Sequence, residues 1–408
     1  MCLLTDFREK IMHRNSESRL NFILILALVF YCGSLLFSNT YLFSHLSSAG
    51  ISLEIIMKIM RYVAYGLCVV KMIIQQYYKR DFVLCLLMVT VLVLLVSLKG
   101  TDKAPIFQLL LIVSAYKSDF TVVLRTFLTL QCIFLFFAIF CYYLDIGSEM
   151  ILDNGRMRSF LGFGWCNRGA YLWLGILVEL FCVRVLKKYK VIWFMSVLLT
   201  IYIYWKTRTS FPFAAAMAIL IFSALEWFEQ IHVLGKKVLS CKVVDLIFVP
   251  AFACCSIFLC KMYSPGIGIL NRIDLLTNRR LMMGKMAIYK YGLGPWGHDT
   301  SWLGSGTMYW NNNGKTGYEY VDCGYLQLAI DYGLIFLLIV VMIYEIGVYR
   351  AYKAGNLRIL FAILIWTALS VFEPRLIDFM CNPFVYAGVA ILSNSEVRMH
   401  KNLRCTDG

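Results

Sequence analysis

The sequence predicts an all-α, polytopic helical membrane protein with about 12 transmembrane helices and one large extracytoplasmic loop. Of its 408 residues, 60% are hydrophobic and 15% are charged. A water-soluble domain of this length has no way to bury so much apolar surface. Apolar runs near the length that crosses a bilayer recur along the whole chain, and the period-two alternation of an outer-membrane barrel is absent. Residues 1–408 are therefore interpreted as a single integral membrane domain.

The predicted spans are apolar runs of roughly 17–25 residues, the length that a transmembrane helix needs. They lie near residues 20–43, 53–76, 82–98, 104–116, 121–144, 169–186, 190–205, 209–228, 243–262, 323–347, 357–372 and 380–394. The second span is interrupted by Lys58 and Arg61, and the fourth is short enough to be re-entrant. Two polar segments separate spans: a smaller loop, 145–168, and a large insert, 263–320, whose many aromatic residues indicate a folded loop.

Basic residues occupy every second connecting segment, and this alternation predicts the orientation of the chain. The basic segments lie at residues 79–80, 117, 187–190, 236–242, 350–358 and 398–404. Because Lys and Arg in short loops mark the cytoplasmic side, both termini are expected in the cytoplasm and the smaller loop and large insert on the outer side. Orientation also explains most of the net charge of +15, so a nucleic-acid partner is not predicted.

A second set of cations lies on the predicted outer face, where it opposes the insertion bias. These cations are Arg156, Arg158, Arg168, Lys206, Arg208, Arg272, Arg279, Arg280 and Lys285. Charges near helix ends are costly unless they are used, so an anionic ligand at the outer leaflet is the favoured explanation. The alternative is that they bind lipid head groups or pair with Asp153, Asp274 and Asp299.

The smaller loop and the segment after the seventh span have the composition of anion sites. Arg156 and Arg158, one residue apart, can fork onto neighbouring phosphate oxygens, and nearby glycines let the backbone approach a ligand. Asn167 and Arg168 follow in the same loop. Arg208 stands among hydroxyl residues at a helix start, which indicates either an anion site or ordinary capping.

The large insert combines a helical basic stretch with aromatic residues. Residues 270–291 have helical periodicity, and Arg272 and Arg279, seven positions apart, are expected on nearly the same side with Arg280 on the flank. This pattern fits an interfacial amphipathic helix, or equally a solvated basic face. Trp296 and His298 follow in a glycine-rich stretch, and later Trp, Tyr and Asn residues suit carbohydrate rings.

Five groups of motif residues follow one another along 156–383. They are Arg156-x-Arg158 with Gly162-Phe163 and Asn167; Tyr204 with Thr207-Arg208-Thr209; Asn271-Arg272, Arg279 and the Trp296-Gly297 turn; Asp322-Cys-Gly324-Tyr325 with Asp331-Tyr332-Gly333; and Glu373 with Asn382-Pro383. Together these residues resemble the bacterial O-antigen and capsular polysaccharide polymerases (Wzy-type), within the wider O-antigen ligase and polymerase superfamily. The first 150 residues match only in hydropathy.

The resemblance implies a metal-independent glycosyltransferase in the bacterial plasma membrane. It would join polyprenyl-diphosphate-linked oligosaccharide repeat units into surface polysaccharide, either O-antigen or capsule, at the outer leaflet. The implied partners are those lipid-linked oligosaccharides, membrane lipids, a chain-length regulator and a flippase, and no cofactor is expected. Arg158, Arg208 and Arg279 are predicted to bind the diphosphate, with Arg156, Arg272 and Arg280 in support and with Asn167, Arg168, Trp296 and Tyr325 as further substrate-binding residues.

A sugar hydroxyl is a poor nucleophile, so one general base is also expected. Its candidates are His298, Asp299, Glu319 and Asp322, with Asp322 and His298 favoured. The alternative role for Asp322 is the N-cap of the following helix. Two other functions stay open: a ligase that moves the glycan to another acceptor, and a transporter or flippase of an anionic lipid-linked glycan.

Overall fold

The computed structural model describes residues 2–48, 53–75, 104–147, 149–153, 156–228, 247–300, 302 and 319–392. Within these ranges the chain is mostly helical, which confirms the predicted helical class. Ser18–Ser38, Phe120–Tyr143 and Leu334–Lys353 are long and apolar enough to cross a membrane, while Ser210–Leu225, Phe248–Met262 and Leu357–Leu369 are shorter apolar helices. The predicted span 82–98 and the basic segments 79–80, 236–242 and 398–404 lie outside the described residues.

In the first half of the chain, the described residues form helices and one β hairpin. The helices are α1 (Cys2–Ser38), α2 (Tyr41–Ser48), α3 (Leu53–Ile74), α4 (Ala104–Ser114), α5 (Phe120–Tyr143), α6 (Arg168–Cys182), α7 (Val185–Lys188), α8 (Lys190–Thr207) and α9 (Ser210–Leu225). In the smaller loop, β1 (Met150–Asp153) pairs antiparallel with β2 (Arg156–Ser159), with Met150 opposite Ser159. This hairpin is an exception to the predicted all-α class.

The second half adds six helices and a short 3-10 turn to the described structure. They are α10 (Phe248–Met262), α11 (Gly268–Leu276), α12 (Arg280–Tyr291), α13 (Gly324–Asp331), α14 (Leu334–Lys353), α15 (Leu357–Leu369) and the 3-10 turn Phe384–Gly388. One continuous apolar core runs through the bundle and includes Tyr31, Phe127, Tyr171, Phe336 and Trp366.

The prediction of a helix at 380–394 is wrong for the described part of that range. Residues 370–392, the irregular segment, run as turns plus the short 3-10 helix, yet Asn382 is fully buried. Side chains supply partners for its carbonyls: Tyr344 Oη donates to Leu376 O (2.7 Å) and Arg350 Nη1 donates to Gly388 O (3.0 Å). Irregular backbone is tolerated among apolar groups when the protein satisfies it. The apolar composition of this segment therefore reflects burial inside the protein.

The predicted span 323–347 is divided into α13 and α14 by a tight turn at Gly333. This glycine has φ 91° and ψ 165°, a combination that only glycine adopts readily. A Cβ placed there would lie 2.3 Å from the carbonyl oxygen of Pro295. The amide of Leu334 also donates to the carbonyl of Gly294 at 2.9 Å. The stretch 294–297 is thus held against the turn between these two helices.

Replacing Gly333 with Ala is expected to lower the stability of the protein by about 2–3 kcal/mol or more, because strained backbone and a backbone clash add together. Gly355 is the matched control, since its φ is also positive, 64°, but nothing lies within 4 Å of an added Cβ. Thermal unfolding in detergent checks both variants. Equal melting temperatures for the two would contradict the tight contact at Gly333.

The basic stretch of the large insert is not one continuous helix. Asn278 and Arg279 have φ of 56° and 63°, so the backbone turns between α11 and α12. The buried carboxylate of Asp274 accepts from the Met282 amide at 3.0 Å and stabilises the start of α12. The expectation that Arg272 and Arg279 project from one helix face is therefore wrong.

Connecting segments contact one another in two separate groups. The first group includes two hydrogen bonds, from Tyr41 N to Gly162 O and from Arg158 Nε to Thr207 O, and the ion pair of Arg280 with Glu373. The second group includes the ion pair of Glu226 with Arg358 and two hydrogen bonds, from Trp227 Nε1 to Lys187 O and from Ile391 N to Ser118 O. The sequence assigns the segments of the first group to one membrane face and those of the second group to the other.

Candidate functional site

A cluster of charged and phenolic side chains collects where several helices begin. Arg168 and Tyr171 lie in the first turn of α6, Arg280 begins α12, and Tyr320 and Asp322 precede α13. The irregular segment contributes the rest. We call the following residues the charged cluster: Arg168, Tyr171, Arg280, Tyr320, Asp322, Glu373, Arg375 and Asp378. Helix N-termini carry partial positive charge, so their convergence favours an anion.

Arg280 is held by several groups of the protein. Its Nη2 lies 2.6 Å from Glu373 Oε1 and its Nε lies 3.7 Å from Asp322 Oδ2, while Nη1 donates to the carbonyl of Phe372. Its Cζ also lies 5.1 Å from the centroid of the Phe211 ring, which stacks on Phe372. Burial lowers the pKa of this arginine, but the neighbouring carboxylates of Glu373 and Asp322 raise it. The net effect is a raised pKa. Arg280 thus organises the two carboxylates.

Arg375 forms a second buried ion pair beside the first. Its Nη1 lies 2.5 Å from Asp378 Oδ2, and its Cζ lies 4.4 Å from the centroid of the Tyr171 ring. Burial opposes the charged form, but Asp378 outweighs it and raises the pKa of Arg375. A bound anion would meet a guanidinium held over an aromatic face, a geometry that suits planar arginine.

Arg168 differs from the other two arginines because its charge has no ion pair in the described part of the chain. Its Nη1 is buried and makes no hydrogen bond there. Burial first, and then repulsion from Arg375, lower the pKa of Arg168. A buried donor without an acceptor is costly, and an incoming anion would remove that cost. Arg168 is therefore the strongest candidate for direct contact with an anionic ligand.

The polar residues before α13 complete the cluster. Tyr320 Oη accepts from Gln327 Nε2 at 3.0 Å, and burial followed by the nearby Asp322 raises the pKa of Tyr320. The side chain of Asp322 is 20% exposed. The N-cap of α13 is Cys323, whose Sγ accepts from the Leu326 amide at 3.5 Å. Asp322 is thus not the helix cap, and its carboxylate remains accessible.

A second, open depression of about 460 Å³ lies beside the cluster and is lined by Arg156, Met157, Tyr204, Arg208 and Ser210. Arg208 is the C-cap residue of α8 and has a left-handed backbone conformation, with φ 51°. The guanidinium of Arg158 instead forms hydrogen bonds within the protein. Its Nε donates to Thr207 O at 2.9 Å and its Nη2 donates to Thr209 Oγ1 at 3.3 Å. Since Ser210 lines the depression and Phe211 packs on Arg280, the two sites adjoin.

The structure places the remaining predicted site residues outside the charged cluster. Arg272 and Arg279 are exposed, and Arg279 is the N-cap residue of α12. Tyr325 is fully buried and donates to Thr367 O at 2.9 Å, so it belongs to the core. Two further predicted site residues, Trp296 and His298, lie in or directly after the stretch 294–297 that packs against Gly333. Trp296 is 39% exposed, and the amide of His298 donates to Ile330 O at 2.9 Å.

Asn167 is the N-cap residue of α6, but its side chain makes no capping hydrogen bond. It therefore sits next to Arg168 with its amide group available. Five members of the charged cluster are absent from the site residues predicted from the sequence: Tyr171, Tyr320, Glu373, Arg375 and Asp378. Tyr171 lies inside a predicted span and looks like a core aromatic residue. Arg375 could have been noticed, because it falls between Glu373 and Asp378 in an otherwise apolar region.

Comparisons with protein-family models, with curated proteins and with solved structures find no match to this chain. The family resemblance in residues 156–383 therefore stays a prediction, and the function is argued from the geometry of the site.

Proposed function

We propose that the chain is a polysaccharide polymerase that joins polyprenyl-diphosphate-linked oligosaccharides at a membrane surface. The observation that supports this proposal most is the gathering of Arg168, Arg280 and Arg375 with the accessible carboxylate of Asp322. A glycosyl transfer from a lipid diphosphate needs both parts. Arginines neutralise the leaving diphosphate, and a carboxylate takes the proton of the attacking hydroxyl.

In the proposed reaction, a sugar hydroxyl of the acceptor attacks the anomeric carbon of the donor. The new glycosidic bond forms as the bond from that carbon to the diphosphate oxygen breaks. The hydroxyl proton passes to Asp322, and the leaving diphosphate takes the bonding electron pair. Arg168 binds this growing negative charge, with Arg375 beside it, while Arg280 holds Asp322 and Glu373 in place.

The open depression supplies a second place for an anion. Arg156 and Arg208 line it, and neither is consumed by an ion pair in the described structure. Two lipid-linked substrates meet in a polymerase, so one would occupy the charged cluster and the other the depression. Arg158 then acts by fixing the hairpin against the end of α8 through its bonds to Thr207 and Thr209.

The proposed placement in the membrane keeps the twelve passages of the sequence analysis, with both termini in the cytoplasm and the large insert outside. Two findings support it. Apolar helices of spanning length are present, and loops assigned to the same face contact one another. The irregular segment would then cross the membrane without a regular helix. It would run buried inside the protein from Glu373 on the outer face to Ile391 on the inner face.

Asp322→Asn is expected to reduce the surface glycan to single repeat units. The amide keeps the size of the side chain but accepts no proton, and loss of a general base costs about 10²–10⁴-fold in rate. The measurement is the length distribution of the glycan in cells that express the variant at the normal level. The exposed Asp299→Asn is the matched control and should leave the polymer unchanged. Polymer of normal length from the Asp322 variant would exclude this residue as the base.

Transport of a lipid-linked anion is a second candidate, favoured by two observations. Glu179 is fully buried within α6 and accepts from Gln131 Nε2 at 2.9 Å, and the irregular segment also crosses the bundle interior. Buried ionisable groups beside broken helices are typical of transporters. Purified protein in liposomes with substrate in one leaflet separates the two functions. Longer glycan indicates polymerisation, whereas unextended substrate in the other leaflet indicates transport.

A further inference from the structure

Far from the charged cluster, three lysines collect around the short helix α7. Lys187 and Lys188 end α7, and Lys190 begins α8. Lys188 and Lys190 are exposed, and none of the three forms an ion pair in the described part of the chain. The neighbouring carboxylate, Glu226, is taken by Arg358 at 2.9 Å. No carboxylate among the described residues therefore neutralises the positive charge of this patch.

Two tryptophans hold this lysine patch in a fixed arrangement. Trp227 Nε1 donates to the carbonyl of Lys187 at 3.2 Å, and Trp193 Nε1 donates to Leu220 O at 3.0 Å. The two indole rings meet edge to face with centroids 5.2 Å apart, and Lys190 Nζ lies 5.5 Å from the Trp227 centroid. A fixed arrangement lowers the entropy that would be lost when a ligand orders the lysines.

An exposed apolar strip continues from the lysines along α8. Its members recur every three or four residues, so they share one side of the helix. They are Val191, Phe194, Met195, Leu198, Ile201 and Trp205, with Val191 76% exposed. Over this length the strip extends by roughly 20 Å at the rise of an α-helix. That is longer than the acyl-chain region of one leaflet, which is about 15 Å thick.

We propose that the lysine patch binds the head group of an anionic phospholipid, whose acyl chains lie along the apolar strip of α8. The patch offers positive charge that no described carboxylate pairs with, tryptophans of the kind that lie at membrane interfaces, and an adjoining apolar strip. A soluble acidic partner would use the charge but leave the strip uncovered. By the positive-inside rule the lipid belongs to the cytoplasmic leaflet. This site is independent of the proposed polymerisation.

The test uses the full chain in detergent and native mass spectrometry to compare binding of dioleoylphosphatidylglycerol with dioleoylphosphatidylcholine. Two lysines near a membrane surface are expected to give a preference for the anionic lipid on the order of thirty-fold at physiological salt. The double variant Lys188→Gln, Lys190→Gln should lose that preference. The double variant Lys58→Gln, Lys261→Gln removes two exposed lysines elsewhere and should keep it.

Retention of the preference in the Lys188 and Lys190 variant would overturn the proposal, and so would equal loss in the control. A stable dimer that buries the α8 strip and binds no lipid would also overturn it, because the occupant would then be a second copy. Weakening of the preference when salt is raised from 0.15 to about 1 M supports the electrostatic part of the site, since screening shortens the reach of exposed charges.

Discussion

Arg168→Gln is expected to abolish polymer formation while leaving the protein at least as stable as the unmodified chain. The change removes the burial of an unbonded Nη1 and the repulsion from Arg375, and these gains offset the lost attraction to Asp378. Activity should fall by about 10²–10³-fold, the usual loss when one group that stabilises transition-state charge is removed. Glycan length in cells and thermal unfolding of the purified protein measure the two effects separately.

Arg156→Gln is the matched control for this experiment, because Arg156 is exposed and lines only the open depression. It should weaken polymerisation less than Arg168→Gln does and should leave the melting temperature unchanged. Arg168→Lys adds a second comparison: it keeps the charge but loses the planar fork, so it should recover only part of the activity. A stable Arg168→Gln protein that makes polymer of normal length would remove Arg168 from the mechanism.

Arg280→Met is expected to destabilise the protein by about 3–5 kcal/mol, because it leaves the buried carboxylate of Glu373 without its cation. The side chain of Glu373 is 5% exposed and lies 2.6 Å from the guanidinium. Combining Arg280→Met with Glu373→Gln should recover part of this loss, since the second change removes the unpaired charge. Thermal unfolding in one detergent, compared across the single and double variants, measures the coupling.

The neighbouring Arg279→Met provides the control within the same turn. Arg279 is exposed, so its replacement should change the stability by less than about 0.5 kcal/mol. Equal destabilisation by the two variants would show that the buried ion pair does not stabilise the fold as described. Loss of polymer from Arg279→Met alone, with Arg280→Met active, would restore Arg279 as the anion-binding residue.

The different positions of Arg279 and Arg280, one exposed and one largely buried, could not be predicted from the sequence. Both are predicted as outer-face cations, and the periodicity of residues 270–291 favours Arg279 as the anion-binding residue, with Arg280 on the flank. Their difference comes from the left-handed backbone at Asn278 and Arg279, which turns one side chain outward and lets Arg280 point into the bundle. Asn278 is the one sequence signal for this turn, because asparagine adopts the left-handed region more readily than most residues other than glycine, whereas Arg279 gives no signal.

Residues at the ends of apolar runs are easier to predict. A carboxylate or arginine there is conspicuous, which is why Arg168 and Asp322 stand out in the sequence itself. Tyr171 does not, because a tyrosine within an apolar run fits a core equally well. The helical class follows from hydropathy, but hydropathy does not distinguish a lipid-facing helix from the buried, irregular segment 370–392.

That irregular segment also constrains how the protein can be made. A regular apolar helix satisfies its own backbone and can enter the bilayer as soon as it leaves the ribosome. Residues 370–392 depend on Tyr344 and Arg350 of α14, and Ile391 donates its amide to Ser118 O, far back in the chain. These partners must be in position first, so this segment should close into the bundle only after α14 and the region of Ser118 have assembled.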